Sequence, residues 1–501
     1  MIVGIDFGTT NSSVAYLAPR GPELIVNERG ERLTPSVVCF RSEREALVGE
    51  LARSGSLLRP DQTIERVKRR MGDPTPYHIF GREISPVGVG GLVFAKLRRY
   101  AEDFLKEEVH RAVVTVPAYF DDAQRHGVLE AALRGGIEVV RLLNEPTAAA
   151  LAYRPASGDE GTFIVLDLGG GTFDITVLRS REGLHQVLAT GGSTELGGAD
   201  FDDLLGAWVL EDVRRSRGVN LAADPVALAS VMRGVERVKV DLSSVEESVL
   251  LLPYIASGPD GPVHVQAEIS RSAFERLTEE LFVRAQDLVR GVLREANLGS
   301  EAIDGVIFAG GSSRMPRFRR EMGALFPDAS VRGEINPDEV VALGAAVCAG
   351  IMEGRLDNVE LRDVLPHALG VRDDRGEFVP LVARGTVYPV SARRLFTNAR
   401  EGQREVAVEV LQHREDRMVS LGVLEFRTET AWSRGEAELA VTFDVDANGV
   451  LAVVAEDEAT GKTGEMTIAS GVLPPVPLSE PETGSEEREQ GACLLRNVTV
   501  L

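Results

Sequence analysis

Residues 4–17 read GIDFGTTNSSVAYL and residues 165–178 read VLDLGGGTFDITVL, so the chain carries one pattern twice, about 160 residues apart. Each copy has an apolar strand ending in a carboxylate, Asp6 or Asp167, then a turn of small residues, then an alternating apolar segment. Such a succession predicts a β-hairpin. The turns Gly8-Thr9-Thr10-Asn11 and Gly169-Gly170-Gly171-Thr172 combine permissive backbone with hydroxyl donors. Backbone N–H groups in a turn of this kind can cradle phosphate oxygens, and the aspartate just ahead suits magnesium, which takes carboxylates plus water. Either copy alone reads equally well as an ordinary Gly-rich turn. One copy in each lobe of a duplicated domain lets the two turns face each other across a cleft and clamp one polyphosphate from both sides.

A chain of 501 residues exceeds one hydrophobic core, which sets an expectation of two or three domains. A hydrophobic fraction of 44% provides ample apolar surface to bury. The net charge of −22 argues against nucleic acid or an anionic membrane as partner, because phosphate backbones are met by Lys and Arg. Cys39, Cys348 and Cys493 are widely spaced and form neither a disulfide framework nor a zinc motif. With no basic, apolar leader and no run of membrane-spanning length, the chain reads as cytoplasmic.

From residue 1 to about 356, short β-branched strands alternate with helical patterns, the signature of α/β layers. Strands are expected at 111–117, 137–143, 162–167 and 304–309, a helix at 121–134 ending at Gly135-Gly136, and one long amphipathic helix over 271–297. Beyond about residue 363 come the short strands 405–413, 422–429, 438–445 and 449–457, with an Asn448-Gly449 hairpin signal. This predicts an all-β domain of roughly a hundred residues. After Gly471 the Pro-, Glu- and Ser-rich sequence reads as a disordered tail.

Three further constellations are weak in isolation. Lys68, in ERVKRRMG, reads first as part of a solvated basic helix face, and Glu145, in LLNEPTAAALAY, as a simple helix start with Pro146 in its first turn. The segment IFAGGSSRMPRFRREM (307–322) is a strand, a Gly-rich turn and a helix whose N-terminus suits a phosphate or ribose.

Taken in order, GIDFGTTNSS, VTVPAYFDDAQR, LLNEPTAAALAY, DLGGGTFDIT, GGADFD, VERVKVDLS and AGGSSRMP closely resemble the 70-kDa heat-shock (DnaK-type) chaperones over about residues 1–471. The resemblance implies an actin-like nucleotide-binding ATPase domain at 1–356, two RNase H-like lobes, followed by a linker at 357–364. It also implies a β-sandwich substrate-binding domain at 365–471, then the acidic tail at 472–501. The duplicated hairpins become the two phosphate loops of a Mg2+-dependent ATP hydrolase.

In that family's terms Asp6 and Asp167 organise Mg2+. Gly8, Thr9, Thr10, Asn11 and the backbone of Gly169, Gly170 and Gly171 hold the phosphates of ATP or ADP. Lys68 places a cation at the transferring phosphoryl group, while Glu145 and Thr172 position the attacking water, so that hydrolysis proceeds by positioning and charge stabilisation. Glu236, Lys239, Ser243, Gly311, Ser312, Ser313 and Arg314 match adenosine contacts, with Glu236 and Lys239 three apart on one helix face. Pro117 and Arg125 match a relay between nucleotide state and domain docking.

Val371, Phe396, Val406 and Val408 fall on peptide-pocket positions and keep their apolar character, with ordinary sandwich core packing as the alternative. The resemblance further implies an unfolded or client polypeptide, a J-domain co-chaperone contacted through Arg141, and a nucleotide exchange factor. Sugar and acetate kinases share paired phosphate loops but have no reason to carry this β domain.

Three departures from the family follow. The linker reads VELRDV (359–364), with Glu360 and Arg362 where the family is leucine-rich. Losing a buried aliphatic side chain costs about 1.5–3 kcal/mol, which predicts weakened docking and weakened coupling between ATP and peptide. The peptide rim Arg372-Asp373-Asp374-Arg375-Gly376 is charged, predicting weaker capture of apolar peptides or a preference for basic ones. The acidic tail stands where the family has a helical lid, predicting fast peptide exchange. These departures leave two readings: a divergent ATP-driven chaperone, or an actin-like ATPase whose β domain regulates or scaffolds.

Overall fold

The computed structural model of the chain describes residues 1–153, 160–258, 261–356, 359–373, 375–414, 417–468 and 499–500. The tail expected at 472–501 lies outside the described residues apart from Thr499–Val500, and so does Asp374 of the charged rim.

Five of the six strands of the first sheet, β1 (Ile2–Asp6), β2 (Asn11–Ala18), β3 (Gly21–Ile25), β4 (Arg111–Val116) and β5 (Glu138–Asn144), run in the order β5-β4-β1-β2-β3, and the short strand Thr34–Pro35 pairs beside β2. The second sheet uses β6 (Gly161–Leu168), β7 (Phe173–Arg181), β8 (Leu184–Ser193), β9 (Gly305–Ala309) and β10 (Ser330–Arg332), in the order β10-β9-β6-β7-β8. The two sheets repeat one another strand for strand, with an antiparallel meander of three strands and two parallel strands added on one side. Each half buries its own apolar cluster, to which α1 (Pro86–Leu105) contributes in the first half and α8 (Pro316–Leu325) in the second. A third cluster joins them around two helices of small residues, α3 (Glu145–Ala152) and α9 (Val340–Met352), whose Ala148, Ala149, Ala345 and Ala349 are fully buried.

Helix α2 (Asp122–Arg134) starts where its sequence specifies. Asp121 is the N-cap, accepting from the Gln124 N–H at 2.8 Å, while the Gln124 side chain accepts from the Asp121 N–H at 3.0 Å. The continuous helix expected over 271–297 is instead two, α6 (Arg271–Leu277) and α7 (Glu279–Glu295). Thr278 breaks it: the hydroxyl donates to the Phe274 carbonyl at 2.8 Å and the backbone leaves helical geometry there. The break lets Phe274 and Phe282 both reach Phe201, with ring centroids 6.2 and 5.1 Å away.

The C-terminal strands run β12 (Ala368–Arg372), β13 (Phe378–Val382), β14 (Val390–Phe396), β15 (Gln403–Arg414), β16 (Arg417–Trp432), β17 (Leu439–Val445), β18 (Leu451–Asp457) and β19 (Thr463–Ile468). They form one antiparallel ladder, β13-β12-β15-β16-β19-β18-β17-β14. Val408 and Phe426 from one arm of the ladder share a core with Val441 and Phe443 from the other, so the ladder is folded over on itself.

The linker departs from expectation. Its strand β11 (Glu360–Arg362) pairs in parallel with Leu184–Gln186 and lengthens the second sheet by one strand. Strand alternation resolves the apparent conflict with its polarity: Glu360 and Arg362 point outward and pair with each other at 2.7 Å, while Val359 and Leu361 on the other face, and Val364 just past the strand, pack against the central cluster. The polar substitutions therefore sit on the solvent face and remove no buried side chain. Replacing Glu360 and Arg362 together by Ala is expected to shift stability by less than about 0.5 kcal/mol. Leu361→Asp is expected to free the strand, read as rapid protease cleavage within 359–364.

Candidate functional site

The two turns that end β1 and β6 approach each other between the halves. In the first, Ser36 donates to the Gly8 carbonyl at 2.7 Å, and the Gly8 N–H donates to the Ser12 hydroxyl. In the second, the Gly169 N–H donates to the Thr172 carbonyl at 3.0 Å. The carbonyls of Gly169 and Gly170 accept from the N–H groups of Gly198 and Ala199, which open α4 (Gly198–Arg217). The turns touch so closely that a Cβ on Gly170 would lie 2.0 Å from the Thr10 hydroxyl, and one on Gly171 would lie 2.6 Å from Thr9. Glycine is required here by proximity.

Behind the turns lies a buried group of charges. Lys68, in the short 3-10 turn Val67–Arg70, is 2% exposed and bonds its ammonium to Glu145 at the start of α3. Asp6 ends β1 and accepts from Thr115 at 3.1 Å across the parallel β1/β4 pair. Asp167 faces Asp174 across the hairpin of β6 and β7. Burial, then the charge of Glu145, pushes Asp6 up to about 7, with Lys68 pulling the other way. Burial and Glu145 push Asp174 up to about 7 as well and hold Asp167 well above the usual carboxylate range. Burial works against the Lys68 ammonium, but Glu145, Asp6 and Asp174 outweigh it and hold it charged.

The far wall is built by α5 (Pro225–Asp241) and the turn after β9. Glu236 reaches across the cleft to Arg53 of the first half at 3.0 Å, while Lys239 bonds Asp202 at 2.7 Å and the Gly198 carbonyl at 2.8 Å. The two residues share a helix face but bind separate partners. Arg314 is held by Asp338 at 2.8 Å, and Ser313 is fully buried, its hydroxyl turned onto the Gly310 carbonyl. A cleft of about 500 Å3 runs between these walls. Its lining brings together every residue expected for catalysis, metal and nucleotide except Gly171 and Ser313, which stand just behind it.

The donor set fits a magnesium nucleotide. Four carboxylates surround one lysine, so the pocket has an excess of negative charge that a cation would satisfy. Among the described residues no three carboxylate, His or Cys groups form a metal cage.

Two of these participants escaped the reading of the sequence. Asp174 is the mirror of Asp167 in a hairpin whose register could have been drawn from the turn length. Arg69, next to Lys68, donates to the Gly171 carbonyl at 2.7 Å and to Asp200 at 2.6 Å, tying the first half to the second Gly-rich turn. Only long-range packing reveals it.

The four residues expected to bind peptide lie together in the β domain. Val371 is fully buried, Val406 and Val408 are 9% and 6% exposed and belong with it to the sandwich core, and the partly buried Phe396 packs against that core. Beside them Arg372 pairs with Glu409. Pro117 precedes the Tyr119 to Arg125 segment, where Arg125 is buried. Its guanidinium donates to the carbonyls of Ala118 and Asn448 and to the Asn144 side chain, the last at 2.8 Å. Cys39 and Cys348 are free and buried, and no helix among the described residues is long and apolar enough to cross a membrane.

A model of the Hsp70 protein family matches residues 2–78 and 75–475. The chaperone protein DnaK of Thermotoga petrophila is 40% identical over 482 residues, spanning 93% of this chain and 80% of that protein. The DnaK of Thermotoga sp. strain RQ2 matches to the same extent.

Two outcomes follow from the geometry. Gly170→Ala is expected to force the turns apart and weaken ATP binding about tenfold or more, measured by calorimetry. Asp174→Asn keeps the acceptor for the Tyr119 N–H, at 3.1 Å in the native chain, and removes a charge. Because the native carboxyl titrates at about 7 instead of near 4, its ionisation costs stability as pH rises through that window. The nucleotide-free variant should therefore melt higher than the native chain at pH 8 and alike at pH 4.

Proposed function

Because the chain belongs to the Hsp70 family, we propose that it is an ATP-dependent chaperone. In this reading an actin-like ATPase domain at 1–356 drives, through the linker at 357–364, a β sandwich at 365–471 that holds extended segments of client polypeptide. Asp6 and Asp167 would hold Mg2+ through its waters, and the ion would neutralise charge on the β- and γ-phosphates. The N–H groups of both turns would grip the phosphates, with Thr9 and Thr10 adding hydroxyl donors. Lys68, kept charged by its carboxylate neighbours, sets a fixed positive charge against the transferring phosphoryl group, and Glu145 and Thr172 orient the attacking water. The far wall, with Glu236, Lys239, Ser243, Gly311, Ser312 and Arg314, would take adenosine.

One observation carries the coupling half of this reading. Asn144 immediately precedes Glu145, and its side chain accepts from Arg125 and donates to the Tyr388 hydroxyl of the β domain at 3.0 Å. The residue adjoining the proposed water-positioning carboxylate is thus hydrogen-bonded to the proposed peptide module. The Leu142 N–H donates to Asn448 at 2.9 Å and the Leu451 N–H to Asp122 at 2.8 Å, extending the same seam. A J-domain co-chaperone meeting Arg141 on β5 would approach this seam, and a nucleotide exchange factor would act on the cleft walls.

The second reading, an ATPase with a regulatory or scaffolding β domain, is favoured by the closed packing of Val371, Val406 and Val408 beneath the Arg372–Glu409 pair. Single-turnover ATP hydrolysis by the full chain, with and without extended peptides, separates the two. Stimulation by peptide, abolished by Lys68→Ala and by Thr172→Ala, supports the chaperone. Hydrolysis that those changes abolish but no peptide alters supports the scaffold.

A further inference from the structure

His367 lies just past the linker, in the seam between the β sandwich and the first half. It is 1% exposed, its ring meets that of Tyr119 edge-on at 4.5 Å, and its Nε2 is 3.2 Å from the Tyr119 carbonyl. A carbonyl only accepts, so Nε2 carries a hydrogen, and the neutral ring keeps Nδ1 bare. Three guanidinium groups face it from three elements. They are Arg414 at the end of β15, Arg384 in the loop after β13, and Arg125 on α2. Asp121 pairs with Arg414 and Glu295 with Arg384, both at 2.6 Å. Behind Tyr119, the N–H of that residue is held by Asp174 of the cleft.

We propose that His367 makes docking of the β sandwich proton-linked, so that mild acid releases the sandwich from the nucleotide half. The proposal rests on the docked geometry and not on hydrolysis, so it stands or falls apart from the chaperone reading. In the docked chain, burial and then the three arginines hold the imidazole at about 3, against the Tyr119 carbonyl, which favours the charged form. Undocked and hydrated, the ring titrates at its ordinary value of about 6.5. A depressed docked value means the docking contribution is complete above about 6.5 and is lost as pH falls below it. The undocked-to-docked ratio should rise about tenfold per pH unit there.

Two neighbours act in the opposite sense. His126 is partly buried, which lowers its pKa, but Asp122 at 3.1 Å and Asp446 of the sandwich raise it overall, so its protonation favours docking. Burial raises Asp121, which favours docking in more acidic solution. The His367 contribution is therefore read as the difference between native chain and variant.

The test uses the full chain with Cys493→Ser and two dyes, one at Ser42→Cys and one at Ser391→Cys, both exposed positions. Energy transfer is compared between pH 7.5 and 5.5 for the chain with native His367 and for His367→Gln, whose amide can donate to the Tyr119 carbonyl but does not titrate. On going from pH 7.5 to 5.5, the undocked-to-docked ratio is expected to rise about tenfold more in the chain with His367 than in the His367→Gln variant. Identical pH dependence in the two chains overturns the proposal. As a check independent of the variant's folding, 13C-labelled histidine in the native chain should show His367 neutral at pH 5.5 in the docked population. A titration near 6.5 while energy transfer still reports docking would overturn it as well.

Discussion

Lys68 is one ammonium set among Asp6, Glu145, Asp167 and Asp174, and the cleft is organised by that imbalance. Taking a carboxylate out of water costs several kcal/mol unless a counter-charge repays it, and a single lysine repays only part. The result is visible in Asp6 and Asp174, both pushed up to about 7. A sequence selected for stability alone would not place four carboxylates around one lysine. The strain is intelligible if a divalent cation and a polyphosphate complete the charge pattern, and the small-residue turns supply the space for them. The same imbalance extends outward, since Asp174 holds the backbone of Tyr119, whose carbonyl meets the β domain.

The seam between the β domain and the first half is lined by buried polar groups. Arg125, Asn144, Asp363 and His367 are each at most 3% exposed, and each has a hydrogen-bond partner across the seam or bridging toward it. Apolar contact would hold two domains together indifferently to what happens in the cleft. Hydrogen bonds of this kind demand specific geometry, and leaving one buried partner unpaired costs about 1–3 kcal/mol. A shift of Asn144 accompanying a change at Glu145 would therefore be felt at Tyr388 with little attenuation. The polar chemistry makes the joint responsive where an oily one would be permissive.

How far the sequence foretold this depends on the range of the interaction. The repeated hairpins, the capped start of α2 and the strands of the β domain were legible because a few adjacent residues determine them. The break at Thr278 was not, because the periodicity of Phe274, Leu277 and Leu281 continues through it and only the reach of two phenylalanines toward Phe201 favours two helices. The linker was misjudged for a related reason. Its composition was read without its period, and the outward face of a strand accepts Glu360 and Arg362 without loss. Arg69 and His367 owe their roles to partners more than a hundred residues away, Gly171 and Tyr119, so nothing near them in the chain marks them out.

The linker strand has a consequence for solubility. Docked, it covers the edge of the second sheet along Leu184–Gln186. Released, it leaves those backbone donors and acceptors unpaired at the rim of a twisted sheet, the kind of template onto which a foreign extended chain, or another copy of this one, can add. Any excursion in which this strand leaves its place would thus open a sticky edge on the second sheet. The exposed charges of Glu360 and Arg362 then have a second use, since a linker that stays hydrated while free is slow to pair with the wrong sheet.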